Sequence, residues 1–176
     1  MLLVASRRRG RLGAAVRQGV ASGMKAPVAL RRARSGDLPA IMSIEAASFR
    51  RPWRVETFAA LLARPNTDVF VATLDDVVVG YAVLTSRVGD TELANLAVDA
   101  GHRRHGIASA LLQACAEIVR DRGEQWVFLA ARASNREAAG LYAAFGFHEI
   151  GRHENYYRDP AEDAVIFALE VGRTDS

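Results

Sequence analysis

The order of apolar patterns along this chain predicts an α/β fold: a single domain with a mixed central sheet of about six to seven strands flanked by about four helices. Three observations carry that expectation. β-Branched runs at Val69 to Thr73, Val77 to Thr85 and Thr91 to Val98 follow one another with short polar breaks, as in an antiparallel meander. Helical spacing of apolar residues then takes over at Ile107, Leu111, Ala114, Cys115 and Ile118, one face of a long helix. Finally, 176 residues, 50% hydrophobic and 24% charged, with one cysteine and no apolar run long enough to span a membrane, suit one globular domain.

An extended run from Pro27 to Arg32 leads into Ser35-Gly36-Asp37, where Ser or Asp can cap a helix through Ile41, Ile44 and Phe49. After Pro52-Trp53 a short helix is expected over Glu56 to Leu62, ended by Pro65-Asn66. Leu74-Asp75-Asp76 reads as the turn of a hairpin. The long helix runs from about Ile107 to Arg120, followed by a strand at Gln125 to Ala131 and a helix at Arg136 to Phe145. Two terminal strands are expected near Phe147 to Arg152 and Ala164 to Leu169, with Asn155-Tyr156-Tyr157 in the loop between them. On its helix, Cys115 is expected to be a buried small hydrophobe. A lone cysteine forms no internal disulfide, so a reducing, cytoplasmic setting is the default.

The net charge of +3 conceals an asymmetry. Residues 1 to 36 hold nine Lys or Arg and no acid, a head of +9, whereas the remaining 140 residues sum to −6. The opening 25 residues, rich in Arg, Ala, Gly and Ser, are expected to form a disordered basic extension. An RNA- or ribosome-binding arm, an organelle presequence, or an upstream extension ahead of a start at Met24 would each have this composition. The folded domain is expected over residues 26–172. His102, His105, His148 and His153 lack ligand spacing, so no metal site is expected.

Arg103-Arg104-His105-Gly106-Ile107-Ala108-Ser109 stands between the strand ending at Val98 and the long helix. The first-turn N–H groups of a helix have no internal partners and lie at the positive end of its dipole, so a tight Gly-containing entry there can cradle a phosphate. This segment resembles the acyl-CoA signature of the GNAT acetyltransferases: Arg or Gln, two residues, Gly, one residue, then Gly or Ala. Phe49-Arg50-Arg51-Pro52-Trp53, Asn95-Leu96-Ala97-Val98-Asp99, Arg132-Ala133-Ser134-Asn135, Leu141-Tyr142, Phe145-Gly146-Phe147 and Asn155-Tyr156-Tyr157 sharpen the resemblance to the RimI-type N-terminal acetyltransferases of that family. It runs from about Val28 to Leu169.

The resemblance implies acetyl-CoA as cosubstrate, with the backbone of Leu96, Ala97 and Val98 pairing with the pantetheine arm. Arg104 to Ser109 would supply pyrophosphate amides, with Arg103 adding charge. Asn135 would lie near the reactive end of the cofactor, a role compatible with capping the helix that follows it. Tyr142 matches the family's general acid, which protonates the departing thiolate. The family's glutamate base, however, is replaced by Ala130, which accepts no proton. Thr91-Glu92-Leu93 matches a different GNAT pattern with a basic glutamate at the start of this strand, making Glu92 the substitute; strand alternation would put Glu92, Ala94, Leu96 and Val98 on one face.

Phe49, Pro52 and Trp53, with Asn155, Tyr156 and Tyr157, would face the acceptor. The acidic body, including Glu154, Asp159, Glu162 and Asp163, would favour a basic ribosomal N-terminus. The expectation is therefore acetyl transfer to the α-amine, starting with alanine, of a ribosomal protein, by direct attack in a ternary complex. A small-molecule amine acetyltransferase and a non-catalytic acyl-CoA-binding module are the alternatives, the latter kept open by Ala130.

Overall fold

The computed structural model describes residues 27–87 and 89–172; the basic extension expected over residues 1–25 lies outside them. In chain order the elements are β1 (Ala29–Arg32), α1 (Leu38–Ser48), α2 (Val55–Ala63), β2 (Thr67–Leu74), β3 (Val77–Arg87), β4 (Asp90–Val98), α3 (Ile107–Asp121), β5 (Trp126–Arg132), α4 (Arg136–Phe145), β6 (His148–Arg158) and β7 (Ala161–Glu170). The α/β expectation holds: the strands form one seven-stranded sheet in the order β1-β2-β3-β4-β5-β7-β6. Only β4 and β5 pair in parallel; every other pairing is antiparallel. No described helix is long and apolar enough to cross a membrane.

Helices cover both faces of the sheet. On one face α3 inserts Leu111, Leu112, Cys115 and Val119 among Phe70, Val79, Leu84, Val127 and Phe167, and α4 adds Leu141 and Phe145. On the other face Ile41 and Ile44 of α1 and Phe58 of α2 pack on Val69, Val71, Tyr81 and Val83. Burying each of these branched side chains stabilises the fold by roughly 1.5–3 kcal/mol. The inner strand β2 is buried on both faces, so its sequence reads as a near-continuous apolar run. Its one acid, Asp68, is buried and forms ion pairs with Arg32 of β1 and Arg122 just after α3.

Three local expectations are corrected. Ser35–Asp37 form a 3-10 turn, and neither Ser35 nor Asp37 caps α1 through its side chain. The Asp37 carboxylate instead accepts from the Arg34 amide and from both terminal nitrogens of Arg31, whose guanidinium holds it below the usual carboxylate range. In β4 the register passes from Val83↔Asn95 to Leu84↔Leu93, leaving Ala94 as a β-bulge. The extra residue breaks the expected alternation: Leu93 joins Leu96 and Val98 on the α3 face, while Ala94 and Ala97 pack on the α1 and α2 side. Glu92, next to Leu93, is thereby parted from Leu96 and Val98.

Asn155, Tyr156 and Tyr157 lie within β6, not in a loop. The strand bulges there, the register jumping from His153↔Ala164 to Tyr157↔Glu162. Asn155 adopts a left-handed φ of 50°, its amide donating to Asp163 Oδ1 at 2.9 Å.

Candidate active site

β4 and β5 pair only at Thr91↔Val127 and Glu92↔Phe128. Beyond those pairs β4 stays with β3 as far as Val98, β5 stays with β7 as far as Arg132, and the two strands diverge. The wedge between them is an open cleft lined by Leu93–Val98 from one side and Leu129–Arg132 from the other. Gly80↔Val98 and Ala82↔Leu96 face each other across β3 and β4, with the Asp99 amide bonded to the Val79 carbonyl just beyond. Strand alternation therefore turns the backbone groups of Leu96 and Val98 away from β3, toward the cleft. Unpaired strand edge of this kind is what an extended, amide-bearing ligand requires.

At the end of the wedge the chain turns tightly into α3. Arg104 and Gly106 both adopt left-handed backbone, with φ of 65° and 76°. The first-turn amides of Ile107, Ala108 and Ser109 sit over the cleft, which also touches Arg103, Arg104 and Gly106. A helix entry of this geometry is electropositive and suits an anion. Arg103 contributes charge, but its guanidinium is directed at the Val98 carbonyl, at 3.2 Å, and at Ser48 Oγ, at 3.4 Å. His105 does not line the cleft; its Nδ1 lies 3.3 Å from the His102 carbonyl oxygen.

α4 brings the acid. Asn135 caps this helix, its Oδ1 accepting from the Ala138 amide at 3.1 Å, and it lines the cleft. Gly146, with φ of 113°, ends the helix in the left-handed conformation. Two turns along α4, Tyr142 rests its ring edge-on to Phe147, with centroids 5.7 Å apart, and beside Phe167. It too lines the cleft, and its hydroxyl makes no side-chain hydrogen bond to the described residues. Burial, with a smaller effect of Tyr157, pushes this hydroxyl up to about 12. The group is thus a protonated donor throughout the neutral range.

Phe49 and Trp53 from the α1–α2 turn, and Tyr156 and Tyr157 from β6, also line the cleft, whereas Pro52 and Asn155 do not. Arg132 lays its guanidinium over the Tyr157 ring, 4.1 Å from the centroid, and binds Glu162 at 3.1 Å. Arg51 and Asp159 form an ion pair across this entrance. Three of the four acids expected to attract a basic peptide are engaged internally, Asp159 with Arg51, Glu162 with Arg132 and the Ser134 amide, and Asp163 with the Asn155 amide, while Glu154 is exposed. Arg50, Arg51 and Arg158 line the entrance itself, so its local charge is opposite to that of the body as a whole.

Glu92 is not among the cleft-lining residues, and Ala130 is. Glu45, a cleft-lining carboxylate that the motifs do not mark, comes from α1, where it is 1% exposed. It accepts from the Trp53 amide at 2.7 Å, from Asn95 Nδ2 at 3.2 Å and from the Tyr81 hydroxyl. Burial and the Glu45 carboxylate push that hydroxyl far above the ordinary tyrosine range. Its signal in the sequence is faint but physical: position 45 falls one helical turn after Ile41, on the apolar stripe of α1, where a lone acid has to find donors.

A splayed pair of parallel strands with a free edge, a left-handed entry into the following helix and a tyrosine facing the wedge define an acyltransferase site of the GNAT type. The chain belongs to the acetyltransferase (GNAT) family, whose model matches residues 38–147. More narrowly, it is an N-acetyltransferase. It is similar to the ribosomal protein bS18-alanine N-acetyltransferase of Escherichia coli (strain K12), 34% identical over 137 residues that cover 77% of this chain and 92% of the relative. The N-alpha-acetyltransferase of Sulfurisphaera tokodaii is 31% identical over 155 residues, covering 81% and 92% of the two chains. Among solved structures, the crystal structure of the E. coli ribosomal-protein-S18-alanine N-acetyltransferase matches with a TM-score of 0.77 at 31% identity, covering 85% of this chain and 97% of that one.

Proposed function

We propose that the protein acetylates the N-terminal α-amine of an alanine-starting ribosomal protein in the cytoplasm, using acetyl-CoA and direct attack in a ternary complex. The relatives named for this reaction support the substrate class. The observation that carries the choice of an α-amine is the contrast between Tyr142, an available proton donor in the cleft, and Ala130, which leaves the neighbouring strand without a carboxylate.

When bound, acetyl-CoA supplies an acyl group activated as a thioester. The free edge of Leu96 and Val98 suits its amide-bearing arm, and the amides opening α3, with Arg104, suit its phosphates. Phe49, Trp53, Tyr156 and Tyr157 hold the acceptor peptide against the wedge. Tyr142 donates its hydroxyl proton to the leaving sulfur. The attacking amine has to be neutral. An α-amine with a pKa of about 7.7–8.0 is roughly a tenth or more neutral at pH 7, whereas a lysine amine near 10.4 is neutral only to about 0.04%. A site that lacks a basic carboxylate beside the acceptor therefore serves α-amines, with water carrying the proton away.

The test is mass-spectrometric detection of acetyl transfer to an alanine-starting ribosomal peptide that also contains an internal lysine. Modification of the α-amine alone is expected. Transfer only to a small-molecule amine would replace this reading with that of a small-molecule acetyltransferase.

A further inference from the structure

The carboxylate that the family pattern puts on β5 is missing, yet a different carboxylate is buried in the wall of the same cleft, and the mechanism above makes no use of it. Glu45 has three donors: the Trp53 amide on Oε1, and the Tyr81 hydroxyl and Asn95 Nδ2 on Oε2. These come from the α1–α2 turn, β3 and β4, so one side chain ties the acceptor wall to the two strands beside it. A carboxylate only accepts hydrogen bonds, so it dictates which end of the Asn95 amide faces it. The nitrogen is drawn toward α1, and the carbonyl oxygen is left as the free end.

That free end has a defined location. Asn95 adjoins the Ala94 bulge and immediately precedes the open edge at Leu96; it lines the cleft together with Trp53 and Tyr142. Its Nδ2 is held by Glu45, and no side-chain hydrogen bond among the described residues reaches its Oδ1. A half-buried amide oxygen in a cleft otherwise rich in arginine donors is an acceptor suited to N–H groups. We propose that Asn95 is a substrate-contacting residue whose Oδ1 accepts a hydrogen bond from the acceptor amine, and that Glu45 is the positioning residue that holds the Asn95 amide in this orientation. An amide oxygen orients an amine without deprotonating it, which fits a site with Ala130 on the adjacent strand. The inference rests on the proposed reading of the acceptor as an amine in this cleft.

Steady-state kinetics on the full chain test it, with the alanine-starting peptide as acceptor. Asn95→Leu keeps the side chain's shape and removes the acceptor oxygen; it is expected to raise the peptide KM by about tenfold or more while the acetyl-CoA Kd stays within twofold. Glu45→Gln introduces an NH2 group among three donors and frees the Asn95 amide to turn; it is expected to raise the peptide KM in the same direction. The double variant is expected to be no worse than the poorer single one, because both remove the same contact. A purely structural role of Glu45 would lower the melting temperature and give additive losses instead. Asn95→Ser serves if the leucine variant does not fold. An unchanged peptide KM in either Asn95 variant overturns the inference and leaves the N-acetyltransferase reading intact. If the wild type acetylates only a small polyamine, the α-amine reading fails, and the same variants run on that amine still decide the role of Asn95. A wild type that transfers to no amine overturns both.

Discussion

The Tyr157 hydroxyl donates to the Ala130 carbonyl oxygen across 3.5 Å, joining β6 to β5 at the residue where the RimI-type pattern has a glutamate. The Arg132 guanidinium stacked on the Tyr157 ring and hydrogen-bonded to the carbonyl oxygens of Asp159 and Pro160 holds this arrangement. The acceptor side of the cleft is thus built on aromatic and guanidinium packing with no carboxylate at position 130. Ala130→Glu is expected to supply the missing base and raise activity on the acidic side of the profile. Below pH 7 the ratio of variant to wild-type kcat/KM should exceed its value at pH 9, as read from parallel pH–rate profiles. A constant ratio would show that position 130 does not govern proton removal.

Tyr142→Phe removes a hydroxyl that makes no side-chain hydrogen bond to the described residues, so the fold is expected to tolerate it. The melting temperature should change little, the acetyl-CoA Kd should hold, and kcat should fall by about two to four orders of magnitude, the usual worth of a positioned acid. Stopped assays with calorimetric titration of the cofactor separate these quantities.

The wild-type rate is expected to rise with pH through the α-amine range, about 7.7–8.0, and then to stay level past pH 10. The plateau follows from Tyr142, whose hydroxyl burial holds protonated up to about 12. A fall in rate centred near 10 would mean an acid with an ordinary tyrosine pKa. The same shift has a thermodynamic sign. Between about pH 10 and 12 the unfolded chain binds fewer protons at this position than the folded one, so Tyr142 makes stability decline as pH rises through that window. Denaturant melts of the wild type and Tyr142→Phe at pH 9 and 11 measure the difference.

Gly80 marks the closest approach of β3 to the cofactor half. A Cβ there would lie 3.1 Å from the Ala97 carbonyl oxygen and 3.3 Å from both Ile107 Cγ2 and Leu111 Cδ1. Gly80→Ala therefore has to push the first turn of α3 away from β4. It is expected to cost about 1–3 kcal/mol of stability and to raise the acetyl-CoA Kd, since the displaced turn carries the phosphate-facing amides. Urea unfolding and cofactor titration of the same preparation test both effects.

At the opposite end of the sheet, Asp68→Asn leaves Arg32 and Arg122 without their shared, buried carboxylate. A loss of about 3 kcal/mol in urea unfolding is expected, with the acetyl-CoA Kd unaffected because Asp68 lies outside the cleft.

Much of this molecule can be read from local sequence because the periods involved are short. The meander from β2 to β4, the stripe of α3 and the left-handed turn before it need only neighbours in the chain to be recognised. Of the motif residues, Leu96 to Val98, Arg103, Arg104, Gly106 to Ser109, Asn135 and Tyr142 line one cleft, and His105 does not. Two of the misreadings share one cause. A bulge adds a residue without changing composition, so the Ala94 bulge reversed the faces expected around Glu92, and the β6 bulge drew Asn155-Tyr156-Tyr157 into a strand whose polar, exposed pattern resembles a loop.

The family, the order of elements, the glycine-containing turn before α3 and the place of Tyr142 on α4 were legible in the chain alone, since each is written in contiguous residues whose backbone preferences act locally. Packing in three dimensions set the company each side chain keeps: Glu45 with the Trp53 amide and Asn95 Nδ2, Arg51 paired with Asp159 across 108 positions of chain. Those partners are selected by burial, because a carboxylate removed from water takes whichever donors the packed elements bring within reach, and sequence separation has no bearing on that choice.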